Sequence, residues 1–253
     1  MEVSVQSIDA VNLNQVKVVF TQKVDSDAAE DVTNYEIGGK KLTEDNAKAV
    51  LQDDDRTVIL TLADAQDQHD EVTVKVKKGI LSEDKTKNIK EYEKDVEFKD
   101  LDAPQVSKVS VRGNNKLVIE FSEAILVKDA SNEKVAAQKL ADKFEINGQS
   151  INGMGLNDDS KVKDSLISGN NAYVNKVEFY FDSALDSGKN ELKVLDGIKD
   201  DILCDVAGFI VKEATKEFKV EEVTSKPEVK SVKGGTDGKI YIDLIEQWIQ
   251  KQH

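Results

Sequence analysis

Acidic side chains gather at a few points of the chain. Asp100 and Asp102 stand just before Pro104; Asp200, Asp201 and Asp205 crowd a second stretch; Asp158 and Asp159 follow Asn157 in a third. Clustered carboxylates, helped by main-chain carbonyls, are what a calcium ion takes as its roughly six to eight oxygen ligands. Asp100, Asp102, Asp200, Asp201 and Asp205 are therefore the candidate metal ligands. None of them follows the EF-hand spacing, and a solvated acidic loop is the alternative reading of each cluster.

Other chemistry finds little material. The two histidines are His69, set among Gln and Asp in a predicted turn, and the terminal His253. A Ser-His-Asp or Cys-His arrangement would have to use His69, and no nucleophile elbow or oxyanion loop accompanies it. Cys204 is the single cysteine, so an internal disulfide is excluded; its neighbours Ile202, Leu203 and Val206 make it a small buried hydrophobe. Zinc would need several His/Cys ligands. The glycines between Lys233 and Gly238 align with turns elsewhere in the chain and lack the Lys-Ser/Thr of a phosphate loop. The reading is non-enzymatic. With 49 Asp and Glu against 35 Lys and Arg, the net charge is −14, which disfavours nucleic acid and anionic membranes. Solubility and mutual repulsion explain the same charge more simply.

The elements that must position the acids come from an internal repeat. Val106, Val109, Leu117, Ile119 and Phe121 recur, ungapped and at constant spacing, as Val5, Ile8, Val16, Val18 and Phe20, and again as Val229, Val232, Ile240, Ile242 and Leu244. Alternation with period two puts the apolar side chains on one face of a half-buried strand. The stretches between are rich in turn residues. Each copy therefore opens with a strand, a turn and a second strand.

In the first copy, strands are predicted at 3–8, 16–20, 34–37, 47–51, 57–62, 72–76 and 94–98, with one or two helical turns near 25–31 capped by Asp and Ser. In the second they are predicted at 106–111, 116–121, 143–147, 174–181, 190–194 and 215–220. A helix is expected over 131–143, with Ser131 as cap and Val135, Ala136 and Leu140 as its buried stripe. The stretch 152–171, rich in Gly, Asn, Asp and Ser, reads as a surface loop suited to binding. Short strands at turn-separated intervals are the pattern of an immunoglobulin-like sandwich. The fold class is all-β: tandem immunoglobulin-like β-sandwich domains with short helical insertions. The domains are 1–102, 103–225 and an incomplete third start at 226–253. The brief acidic linkers after each closing strand predict a semi-rigid rod.

The third copy breaks off after Leu244, where Ile245, Trp248 and Ile249 take helical spacing. A truncation with foreign residues appended is the expectation, and a short amphipathic helix is the alternative. Met1-Glu-Val-Ser-Val carries no basic or apolar leader, so either the protein is cytoplasmic or a signal peptide was removed; the second is expected.

The opening P-x-V-x-x-V, a turn, then hydrophobic-x-hydrophobic-x-Phe-Ser-Glu-Ala-Ile, with Asn34-Tyr35-Glu36-Ile37 or Lys143-Phe144-Glu145-Ile146-Asn147-Gly148 downstream, resembles the immunoglobulin-like repeats of surface-layer (S-layer) proteins from Gram-positive bacteria. The resemblance covers the chain except its last dozen residues. The first copy departs from it at Thr21-Gln22-Lys23-Val24, which lacks the Ser-Glu pair, so a role for Glu123 need not extend to both domains. The resemblance implies a secreted, cell-surface protein that self-associates into a two-dimensional lattice, often with calcium between domains, next to neighbouring immunoglobulin-like domains of a longer chain. No nucleic-acid partner and no membrane insertion are expected. An adhesin or carbohydrate-binding module using 152–171, with Tyr173 at its edge, is the rival reading, and a spacer of a multidomain cell-surface enzyme is a third.

Overall fold

The computed structural model describes residues 3–195, 203–221, 228–234 and 240–245. The first repeat begins with β1 (Val5–Ala10) and β2 (Gln15–Phe20), then α1 (Ser26–Glu30), β3 (Tyr35–Ile37), the two-residue β4 (Lys40–Lys41), β5 (Ala47–Leu51), β6 (Thr57–Leu62), β7 (Glu71–Val76) and β8 (Tyr92–Glu97). These form two antiparallel sheets, β1-β2-β6-β5 and β4-β3-β7-β8. Their inner faces bury Ile8, Val16, Val18, Phe20, Tyr35, Leu60, Val74 and Phe98. Tyr35 can sit in this core because its hydroxyl donates to the Ala29 carbonyl at the end of α1 (2.7 Å), which leaves no polar atom unpaired.

The second repeat follows the same plan. It comprises β9 (Val106–Arg112), β10 (Lys116–Lys128), α2 (Glu133–Ala141), β11 (Phe144–Ile146), β12 (Gln149–Ser150), β13 (Lys161–Lys163), β14 (Leu166–Ser168), β15 (Asn171–Tyr180), β16 (Gly188–Val194) and β17 (Ala214–Val220). One sheet runs β13-β15-β10-β9, with β14 also on β15, and the other β12-β11-β16-β17. The place that β5 holds in the first repeat is thus shared by the short strands β13 and β14. Phe144 packs between Phe121 and Phe179 at ring-centroid distances of 6.4 and 6.1 Å.

The duplication holds at the level of register. Val5 pairs with Phe20 and Ser7 with Val19; Val106 pairs with Phe121 and Lys108 with Glu120. In a third hairpin, β18 (Glu228–Gly234) with β19 (Ile240–Ile245), Val229 pairs with Leu244 and Ser231 with Asp243. Each hairpin skips one residue at the same place. A bulge at a constant position is a built feature of a strand, and its threefold recurrence follows the sequence repeat.

Several boundaries differ from the sequence reading. The helix α2 is capped by Asn132, not Ser131: the Asn132 side chain accepts from the N–H groups of Lys134 and Val135. The chain thereby satisfies two otherwise orphaned donors with one oxygen. The helix buries Ala136, Ala137, Leu140 and Ala141, while Val135 is only partly covered. Nor is 152–171 a plain loop, since it contains β13 and β14. The short helix expected from Leu244 and Ile245 onward does not begin there: both residues belong to β19, where Ile245 pairs with Glu228, and residues 246–253, the rest of that helix or of a foreign tail, lie outside the described residues. Replacing Asn132 by Ala should lower the unfolding free energy by about 1 kcal/mol, read from the urea midpoint at an unchanged slope.

Candidate functional site

Between its two pairing segments, β10 departs from the sheet. Glu120 pairs with Lys176 and Ile125 with Val174, so the four residues between them face only Asn175 on β15. This wide irregularity carries Glu123 and Ala124 to the first repeat, where they meet Asn12 and Gln15, while Ser122 stays bonded to Gln105. The corresponding point of the first repeat, Thr21-Gln22, is where β2 has ended.

Three other features complete the joint. The linker brings Asp100, whose main chain is held by the Gln68 amide: Asp100 N–H donates to Gln68 Oε1 (3.1 Å) and Gln68 Nε2 donates to the Asp100 carbonyl (2.9 Å). Asp205 enters on the turn after Cys204, and its Oδ1 accepts from the Phe209 N–H (3.0 Å). Asn12, in the β1–β2 turn, donates from Nδ2 to Glu123 Oε2 (2.8 Å).

Asp100, Glu123 and Asp205 thus converge, one oxygen of each within 4.8 Å of the others. They retain only 5%, 8% and 2% of their exposure. Among the described residues, Asp100 Oδ2 and Asp205 Oδ2 are buried with no hydrogen-bond partner. Burial raises the pKa of all three, and the charges of the neighbouring acids add to this for Asp100, pushed up to about 6, and Glu123, pushed up to about 7. An unpaired buried carboxylate oxygen costs several kcal/mol of lost hydration unless a proton or a cation compensates it. Calcium–oxygen bonds of about 2.4 Å let oxygens up to about 4.8 Å apart share one ion, so this donor set fits a hard divalent cation.

Two of the sequence-predicted ligands, Asp100 and Asp205, therefore lie at the cluster. Asp102 does not: its side chain is exposed, and only its N–H reaches Asp100 Oδ1, at 3.4 Å. Asp200 and Asp201 lie outside the described residues. Asp158 is remote and pairs with Lys134. Glu123 was not among the sequence-predicted ligands. Its signal was the Ser-Glu pair that the first repeat lacks, and only the bulge explains why that difference matters. His69 is exposed in a turn, its Nδ1 2.9 Å from Glu97 Oε1, and Cys204 is buried.

The rest of the joint is direct contact. Ala124, Leu166 and Tyr173 pack with Ala63, Leu126 and Val206. The Tyr173 hydroxyl donates to the Ala63 carbonyl (2.7 Å), and the Ser168 hydroxyl to the Asp45 carbonyl (2.8 Å). Gln15 Nε2 donates to Asn175 Oδ1 (2.8 Å), and Ala124 N–H donates to Gln15 Oε1 (2.6 Å). The end of the 152–171 insertion is therefore joint-building material. Tyr173, buried here, is not available as an aromatic platform for a sugar.

Two antiparallel sandwiches in tandem, with apolar packing and buried polar groups between them, define an immunoglobulin-like repeat protein. The repeats resemble those of surface-layer proteins from Gram-positive bacteria, and sequence relatives bear this out. The chain is 28% identical over 228 residues to a surface-layer 125 kDa protein of Lysinibacillus sphaericus, across 89% of this chain and 16% of that one. It is 25% identical over 245 residues to an outer cell wall protein of Brevibacillus brevis, across 97% of this chain and 20% of that one. The chain thus spans a fifth or less of the length of these curated relatives. No protein-family model matches it. Among solved structures, the N-terminal part of the bacterial S-layer protein SbsC is similar at a TM-score of 0.36 and 15% identity, over 88% of this chain and 45% of that one. Sidekick-1 immunoglobulin domains 1-5 are similar at a TM-score of 0.31 and 10% identity, over 88% and 42%. These structural likenesses are too loose to bear on the joint.

In cation-free protein the raised acids make stability fall as pH rises. The unfolded chain loses these protons near pH 4 and the folded chain only near pH 6 to 7, so in that window the folded state binds more protons and each rise in pH favours unfolding. In EDTA, Glu123→Gln should reduce the loss of melting temperature between about pH 5 and about pH 8 relative to the unmodified chain; an unchanged loss would contradict the burial of Glu123. Tyr173→Phe should cost about 1 kcal/mol and broaden the distribution of distances between spin labels placed on the two repeats.

Proposed function

We propose that the chain is a structural, non-enzymatic module pair of a secreted bacterial cell-surface protein of the S-layer kind, contributing to a self-assembled two-dimensional lattice, with calcium stiffening the joint between its domains. The observation that carries the calcium part is the trio of buried carboxylates, two with unpartnered oxygens, that meet where linker, first repeat and second repeat touch. The names of the relatives support the surface role. Among the described residues no helix is long and apolar enough to cross a membrane.

Asp100, Glu123 and Asp205 would hold the cation, which supplies the positive charge that their burial lacks. Main-chain carbonyls and water would complete its coordination. Because Asp100 belongs to the linker and Glu123 to the second repeat, a shared ion would tie the linker to the domain that follows it. Lattice formation would then rest on a rod of fixed bend, since a joint that swings cannot repeat a contact across a sheet.

Calcium at about a hundred times its dissociation constant should add about 2.7 kcal/mol to stability, seen as a rise in melting temperature over the same sample in EDTA. Asp205→Asn should abolish the calcium response while leaving the EDTA melting temperature equal or higher, because it removes a buried charge. A calcium response that survives this substitution would place the ion elsewhere. Electron microscopy of concentrated protein with calcium tests the lattice part: sheets or polymers are expected, and persistent monomers would move the lattice contacts outside these residues.

A further inference from the structure

The three acids do not reach their places unaided. Glu123 projects from a bulge that β15 meets with a single residue, and among the described residues its carboxylate accepts a hydrogen bond from the Asn12 amide of the other repeat. Asn12 and Gln15 are themselves buried, and the way their amides face is set by main-chain donors. The Ala124 N–H can only donate, so Gln15 turns its oxygen to it. The Asn14 N–H likewise fixes the Asn12 oxygen at 2.9 Å. The Asn12 amino group is then left to face both Gln15 Oε1 (3.2 Å) and Glu123 Oε2 (2.8 Å). Gln15 is anchored from behind, its own amino group donating to Thr61 Oγ1 (2.9 Å) and Asn175 Oδ1 (2.8 Å).

We infer that Asn12 and Gln15 are positioning residues for the cation site: Gln15 fixes the Glu123–Ala124 main chain, and Asn12 occupies one oxygen of Glu123 so that the other is presented to Asp100 and Asp205. The first repeat thus contributes no charged ligand from its sheets yet governs how well the site binds. The inference rests on the cation reading above. By linkage, docking of the first repeat and cation binding favour each other to the same degree. The arrangement is particular to this joint. At the far end of the second repeat, the positions of Asn12 and Gln15 are taken by Gly113 and Lys116, and Lys116 pairs instead with Glu178 (2.8 Å).

The test is isothermal titration of calcium into the full chain and into Asn12→Ala, Gln15→Ala and Ser168→Ala variants, each checked for folding by circular dichroism. Outer-shell partners of metal ligands typically contribute about 10- to 100-fold in affinity. Asn12→Ala and Gln15→Ala should therefore keep one calcium per chain but bind it at least about 10-fold more weakly. Ser168→Ala removes a cross-joint hydrogen bond away from the acids and should bind calcium as the unmodified chain does. If the unmodified chain takes up no calcium, the cation reading itself falls. If it does and the first two variants bind equally well, the positioning role is overturned. It is overturned too if Ser168→Ala loses as much affinity, because general loosening of the joint would then suffice. Should Gln15→Ala fail to fold, Asn12→Ala decides alone.

Discussion

A carboxylate withdrawn from water without a compensating charge is among the most expensive things a fold can hold, and this chain gathers three of them at one point. Everything nearby is arranged around that expense. The bulge in β10 delivers Glu123, a side-chain amide pins the main chain of Asp100, and a tight turn supplies backbone N–H groups to Asp205. Ala124 and Val206, the chain neighbours of Glu123 and Asp205, belong to the apolar cluster with Leu166, Tyr173 and Ala63. The acids therefore take up a proton more readily than isolated carboxylates do, and in the function proposed above a divalent ion would answer the same demand at higher pH.

Sequence made the scaffold legible because its signal is redundant. Five apolar positions repeat three times, and the register of all three hairpins follows them. The short helix after Asp25 was equally plain, since an aspartate cap before small residues leaves few alternatives. What sequence could not supply was the meeting of distant segments. Asp100 and Asp205 stood out as acids near linkers, but Asp102 had the same local credentials and turns outward. Glu123 looked like part of a repeat motif, and its significance depends on four residues of β10 bulging against one of β15. The insertion around 152–171 read as a binding loop because Gly, Asn and Ser are turn formers, yet part of its length pairs with β15 or packs on the first repeat.

The two repeats also show how a duplicated sandwich acquires distinct ends while keeping matching positions in its core. Tyr35 and Phe144 fill matching core positions, and the sheet orders are the same. Apart from the strands β13 and β14 in the place of β5 and the longer helix α2, differences at the tips set the joint. Ser82 and Asp205 occupy equivalent turns, marked by the N–H bonds to Lys87 and Phe209 carbonyls, but only the second is a ligand candidate. Gln22 stands where Glu123 stands in the next repeat. Exchange of a few polar residues at the tips is enough to turn a plain end into an acidic one, because the core packing beneath does not depend on them.

The double hold of Gln68 on Asp100 has a mechanical side. In a protein stretched along its length, the force carried by the linker enters the first sandwich beside that residue, and the N–H and C=O grips sit on one peptide segment next to the closing strand. Both must yield together before the linker can peel away, so the joint resists tension as a clasp does, by sharing the pull between parallel fastenings.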